Sequence, residues 1–132
     1  HDKLDATAVT IRKRPKAYLI KKDQYDVIEK LIFLGLKLDS IKGQVNYNVE
    51  QYRIEDYFKE KMKYEGVYMQ KVKSKTEKIN LNVNSDWLML DMDQRKSNLA
   101  IEVLEPEAPN SFVSYSIIPT FKGDVLPIYR LN

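Results

Sequence analysis

The sequence has no cysteine, one histidine and one tryptophan in 132 residues. Without cysteine there is no disulfide, no thiolate metal ligand and no cysteine nucleophile. The lone histidine, His1, is the first residue. A zinc site ordinarily draws two or three ligands from His, Cys and carboxylate. A serine or cysteine relay needs a positioned imidazole. Neither arrangement can be built from this chain. A mechanism using lysine and carboxylate remains chemically open, but no motif supports one. No apolar run approaches the roughly 20 residues that span a bilayer; the longest covers only residues 31–36. Internal repeats and low-complexity segments are also absent.

Charge of one sign is in short supply too. The 22 Lys and Arg against 19 Asp and Glu leave a net charge of +3, spread along the chain. Nucleic-acid binding usually rests on a concentrated basic face, so no nucleic-acid partner is expected. What remains is a chain 43% hydrophobic, with nine Tyr. That length suits one domain with its own core. Tyrosine suits strands and half-wet surfaces, because its ring packs while its hydroxyl stays near water. The chain opens His-Asp-Lys-Leu-Asp with neither an initiator Met nor a signal peptide, so an upstream segment is expected. The absence of cysteine does not by itself fix the compartment.

Residues 1–14 are polar and basic, and read as a linker or peripheral strand through Ala8 and Thr10. Residues 15–132 read as a single α+β domain. Residues 17–20 are a short apolar run that suits a buried strand. Asp23 is a candidate N-cap for a helix carrying Tyr25, Val27, Ile28, Leu31, Ile32 and Leu34 at helical spacing. Gly35 then supplies the positive-φ position that ends it. Residues 36–41 resume as a strand.

From Gly43 the hydrophobic period drops to two. Val45, Tyr47 and Val49 alternate with polar residues, and the phase then slips to Tyr52 and Ile54. Such a slip predicts a β-bulge. Residues 55–65 are charged and predict a loop or hairpin connection. Gly66 opens a second long stretch that ends in the alternation of Ile79, Leu81 and Val83. Residues 84–86 form a turn, and Trp87 to Leu90 a short strand. Asp93 is a candidate cap for a helix with Leu99, Ala100, Val103 and Leu104 on one face, ended by Pro106. Pro109 and Asn110 start another helix with Phe112, Val113, Tyr115 and Ile117. Residues 125–131 are apolar, but Pro127 predicts an edge strand or extended tail. The expected fold is α+β: a mainly antiparallel sheet or open sandwich of six or seven strands, with two or three helices packed on it. The early strand–helix–strand unit adds a parallel pair.

Candidate chemistry has a bland counterpart at each point. Asp86, Asp91 and Asp93 could bind calcium, but the spacing lacks a calcium-loop pattern, and turn or cap roles suit them better. Lys71, Lys73, Lys75 and Lys78 could meet an anionic glycan or phosphate, but a sheet edge kept from aggregating by Lys suits them better. Trp87, with Tyr64 or Tyr68, could stack on a sugar, although a lone Trp among apolar neighbours more often packs in a core.

One ordered set of residues goes further. Gln94, then Ser97-Asn98-Leu99-Ala100, Leu104-Glu105-Pro106-Glu107 and Asn110-Ser111-Phe112-Val113-Ser114-Tyr115 follow in that order. With Arg14-Pro15-Lys16-Ala17-Tyr18-Leu19-Ile20, Tyr52-Arg53-Ile54 and Tyr64-Glu65-Gly66, the chain from about residue 14 on resembles the C-terminal region of secreted bacterial zinc carboxypeptidase-like proteins of the carboxypeptidase A type. Arg95 stands where that pattern has Pro, and Tyr115 and Ile117-Ile118 where Trp and a Phe pair are common. The resemblance implies a parent with an upstream peptidase domain holding zinc through a His-x-x-Glu pair, a further His and a general-base Glu. None of those positions lies in this chain, so no catalytic, cofactor-binding or metal-binding residue and no cofactor is assigned here. Gln94, Leu104, Glu105, Pro106, Ser111, Phe112 and Tyr115 are assigned as an interaction or structural motif.

The expected role is therefore non-catalytic. The chain would be an accessory domain of a secreted or periplasmic carboxypeptidase-like protein, partnered by the peptidase domain of the same chain. The alternative is a stand-alone extracellular module that binds glycan, peptide or protein.

Overall fold

The computed structural model describes residues 12–132. The peripheral strand expected through Ala8 and Thr10 lies outside these residues. Strand β1 (Ala17–Lys21) leads into helix α1 (Tyr25–Phe33), a short strand β2 (Asp39–Ser40), and two long strands, β3 (Val45–Tyr64) and β4 (Val67–Val83). Strand β5 (Trp87–Asp91), helix α2 (Ser97–Leu104) and strand β6 (Val125–Leu131) complete the chain. The six strands form one sheet in the order β2-β5-β1-β6-β3-β4, and every neighbouring pair is antiparallel.

This corrects the expected α+β architecture in three respects. Among the described residues the strands make a single sheet, with no second sheet to form a sandwich. Two helices occur among the described residues, within the two or three expected, but the helix expected from Pro109 does not form, because 109–117 folds into successive turns. The parallel pair does not form, since β1 and β2 lie on either side of β5 and each bonds to it rather than to the other.

The helix ends follow local chemistry. Asp23 does not cap α1; Gln24 occupies the cap position without a side-chain bond, and the Asp23 carboxylate instead accepts from Gln24 Nε2 at 3.2 Å. The far end closes as the sequence suggests. Gly35, at φ 88°, donates to the Ile32 carbonyl, and Leu36 donates to that of Leu31. This paired pattern satisfies two orphan carbonyls and needs a left-handed residue. Asp93 does not cap α2 either; Lys96 holds that position, and the Asp93 N–H donates to the Asp91 carboxylate.

The phase slip after Val49 has a different origin from a bulge. The β3–β4 ladder is unbroken from Val45 to Ile54. Val45, Tyr47 and Val49 pack with Leu19, Val83, Met89 and Tyr129 on one face of the sheet. Tyr52 and Ile54 pack with Tyr18, Leu90, Ile128 and both helices on the other. A long strand that is covered first on one face and then on the other changes hydrophobic phase without any extra residue. The bulge comes later, at Glu55, where pairing jumps from Ile54↔Ser74 to Asp56↔Lys73. It moves Tyr57 onto the helix-covered face, opposite Val72.

Residues 55–65 are not a loop. They continue β3 up to a two-residue turn, in which Glu65 (φ 48°) and Gly66 (φ 80°) are both left-handed. That is the turn geometry whose twist matches a tight hairpin. Strand β6, expected at an edge, lies inside the sheet between β1 and β3. Pro127 is accommodated because it sits beyond the last β1 pair, Ile20↔Ile128, and where the β3–β6 register shifts. A missing N–H breaks no ladder bond there.

Candidate functional site

The residue after α2 sets the geometry of the main polar cluster. A residue that precedes proline is driven out of the helical region. Glu105 precedes Pro106 and is extended, at φ −70° and ψ 122°. The helix therefore stops, and the Glu105 carboxylate meets the sheet. Its Oε2 accepts from the Tyr18 hydroxyl at 2.6 Å, the Tyr52 hydroxyl at 2.5 Å and Arg130 Nη1 at 2.8 Å. These donors come from β1, β3 and β6. Two residues on, Glu107 receives Arg12 Nη1 at 2.8 Å, and the N–H and hydroxyl of Ser74 on β4, both at 2.8 Å. Arg12 also lies 3.4 Å from Glu105 Oε1 and stacks over the Tyr52 ring at 5.3 Å.

One Leu-Glu-Pro-Glu segment thus ties the exit of α2 to four strands and to the leading segment. The arrangement is charge-balanced, with two carboxylates facing two guanidinium groups. Arg130 is almost wholly buried, at 2% exposure. Its Nη2 donates to the Lys13 carbonyl, and its Nε lies 3.5 Å from Glu50. That Nε is the one buried side-chain polar atom without a hydrogen bond among the described residues.

Protonation states follow from this packing. Burial, with the nearby Glu105 charge, pushes both Tyr18 and Tyr52 above the ordinary phenol range. Burial alone would lower Arg12, but the hydrogen bond and charge of Glu107 outweigh it and raise the guanidinium further. Arg130 is raised as well: burial opposes its charge, while Tyr52 and Glu105 favour it. Both hydroxyls therefore stay protonated donors, and both guanidinium groups stay charged. Glu105 Oε2 already accepts three bonds from fixed donors. Such a carboxylate holds the exit of α2 against three strands at once.

The other motif residues serve the same junction. Gln94 accepts the Lys37 N–H at 2.9 Å and donates to the Lys37 and Asp91 carbonyls, pinning the chain before β2 to the end of β5. Leu104 is fully buried in the helix-covered core, where Phe112 also packs. The Phe112 N–H donates to the Val103 carbonyl. The buried Ser111 hydroxyl donates to the Pro106 carbonyl at 3.0 Å and accepts the Ser114 N–H. Tyr115 is half-buried and contributes a backbone bond to Ser111. Gln70 was not singled out by sequence reasoning. Its side chain is buried, donates to the Val113 and Ile118 carbonyls, and accepts the Tyr57 hydroxyl. A lone Gln among alternating lysines gives no signal that its strand position faces inward.

The remaining candidates separate in space. Trp87 packs edge-on against Tyr129, with ring centroids 5.6 Å apart, as part of a core. Lys71, Lys73 and Lys75 share one face of β4, and Lys78 lies on the other. Asp91 makes a local turn bond, and Asp86 donates its N–H to Asn84. No group of three or more His, Cys, Asp or Glu that could hold a metal ion occurs among the described residues. A shallow groove of about 520 Å³ runs beside Asn48, Glu50, Lys78, Asn80 and Asn132. Across it, Asn80 donates to Asn48 at 3.1 Å. Hydrogen bonds from Asn132 and Thr76 and the charge of Arg130 outweigh burial and lower the Glu50 pKa.

Comparison with known proteins gives a coarse assignment. No family model matches the chain, and no solved structure does. Carboxypeptidase 2 of Trichophyton equinum is 34% identical over 127 residues, covering 96% of this chain and 24% of that protein. Carboxypeptidase 2 of Trichophyton tonsurans is 33% identical over the same length. The probable carboxypeptidase 2 of Arthroderma benhamiae is 30% identical over 100 residues, covering 76% of this chain and 19% of that protein. The chain thus spans about a quarter of the length of the first of these relatives and is similar to a piece of a carboxypeptidase. The relatives are fungal, so the bacterial source and the periplasm implied by the resemblance find no support in them. No helix among the described residues is long and apolar enough to cross a membrane.

Proposed function

We propose that the chain is a non-catalytic accessory domain, C-terminal in a secreted zinc carboxypeptidase-like protein, packing on or extending its peptidase domain. The observation that carries this reading is the 127-residue similarity to a quarter of carboxypeptidase 2. It is supported by where the shared-looking motif goes: Glu105, Glu107 and Gln94 all spend their polar atoms on bonds within this domain. Zinc and its ligands would belong to the upstream part of the parent. That part is also the partner that this reading expects.

The test is to express the natural gene with its flanking sequence, and to delete residues 12–132 from it. The longer protein should release C-terminal amino acids from peptides in a zinc-dependent manner. Deletion should lower its thermal midpoint or shift its KM, without removing the zinc. A parent with no peptidase activity and no His-x-x-Glu segment would end the proposal.

A second reading is favoured by the groove beside Asn48, Asn80 and Asn132. Side-chain amides offer both donors and acceptors, which suits sugar hydroxyls. On this reading the chain is a glycan-binding module. A glycan array with the folded chain decides it: absence of any binding removes this alternative.

A further inference from the structure

The β3–β4 hairpin extends well past its neighbours. Strand β6 meets β3 only between Glu50 and Arg53. The segment after α2 holds the middle of the arm, through Gln70 to Val113 and Ile118 and through Tyr57 against Phe121, with ring centroids 5.1 Å apart. Beyond Gln70 the two strands run on to the Glu65–Gly66 turn, joined to the segment after α2 by the Ser116 hydroxyl, which donates to the Tyr68 carbonyl.

This free end has an unusual make-up. Met62 is 82% exposed, Tyr64 54% and Tyr68 40%. Lys59, Lys61 and Lys63 are exposed beside them. The Lys59 and Lys63 ammonium groups lie 5.6 and 5.5 Å from the centroid of the same ring, that of Tyr68. Two like charges are therefore gathered on one aromatic group. Among the described residues none of these three lysines forms an ion pair, and Glu60 is engaged by Lys71 at 3.9 Å. Glu65, in the turn, is the other acidic residue of the tip.

We propose that this hairpin tip docks the domain on an anionic lipid surface. The lysines would meet phosphate and carboxylate headgroups, each adding to attraction within a Debye length. Met62 and Tyr64 would sit at the boundary of headgroups and acyl chains, where an apolar side chain and an amphipathic ring are both favoured. A water-soluble polyanion would use the lysines but would gain nothing from a bare methionine. Tyr68 is not a free platform for a sugar, because its ring already faces two ammonium groups. A projecting tip can reach a flat surface without the rest of the sheet colliding with it. This proposal does not depend on the carboxypeptidase reading.

The test is co-sedimentation of the whole 132-residue chain with phosphatidylcholine vesicles, with and without phosphatidylserine. Binding should require phosphatidylserine and weaken as salt rises. The K59Q/K61Q/K63Q variant should bind roughly a hundredfold more weakly, at about fivefold per lysine. Met62→Ser should weaken binding several-fold, and Glu65→Lys should strengthen it. All three variants change exposed side chains, so their thermal midpoints should match that of the parent protein. Equal binding to neutral vesicles, or no binding to either kind, would overturn the proposal. So would binding that ignores the lysine substitutions. Capture by soluble heparin with Met62→Ser unaffected, and no vesicle binding, would replace it with simple polyanion recognition.

Discussion

Glu105 concentrates the polar energetics of the molecule in one side chain. Breaking a buried ion pair from one side leaves the partner charge uncompensated, and typically costs about 3–5 kcal/mol. Glu105→Gln keeps the shape but removes the charge that faces Arg130, Tyr18 and Tyr52. We expect it to lower the unfolding free energy by about 3 kcal/mol in urea titration. Arg130→Met combined with Glu105→Leu should lose less than the two single changes summed, because neither member of that pair is left facing an empty partner. The tyrosines add a pH signature. Their folded pKa values lie above the ordinary 10.0. The folded state therefore holds those protons more tightly than the unfolded chain does. The stabilisation is complete below about pH 10 and is lost as pH rises toward the folded values. Thermal midpoints measured from pH 8 upward should fall beyond about pH 10. Tyr52→Phe should flatten that fall, even though it lowers stability at neutral pH.

At the scale of the elements, much was legible and the exceptions have physical causes. The strand at 17–20, helix α1 with its glycine end, and the strand from Trp87 follow from periodicity and end signals. Gly35→Ala should cost about 1 kcal/mol, since alanine at φ 88° is strained. A denaturant midpoint shift would report it. The arm at 55–65 was hidden because both of its faces are largely wet, which erases the alternation a half-buried strand would show. Pro127 argued for an edge, yet a register shift in the partner strand freed that position from bonding. The turns at 109–117 hold apolar residues at helical spacing. There the Ser111 hydroxyl bonds to the Pro106 carbonyl and to the Ser114 N–H, giving the backbone a local alternative to a helix. The motif residues were picked out as a set, but nothing in sequence spacing could place Tyr18, Tyr52 and Arg130 around Glu105. Those positions are 87, 53 and 25 residues away from it, and only the folded sheet brings them together.

At the scale of the whole molecule, the sheet is covered unevenly. Both helices and the segment after α2 cover one face near its centre. On the other face, among the described residues, strand side chains and Ile41 pack into a second cluster. Glu105, from the set assigned in the sequence as an interaction or structural motif, lies at the junction where these parts meet. We propose that this junction holds the fold and does not react. The most direct test is to measure release of C-terminal amino acids from peptides by the purified chain with one equivalent of zinc, beside Glu105→Gln, while following unfolding of both. The account predicts no turnover above background from either protein, and a clear loss of stability in the variant. Turnover by the parent chain that Glu105→Gln abolishes, with stability unchanged, would contradict it.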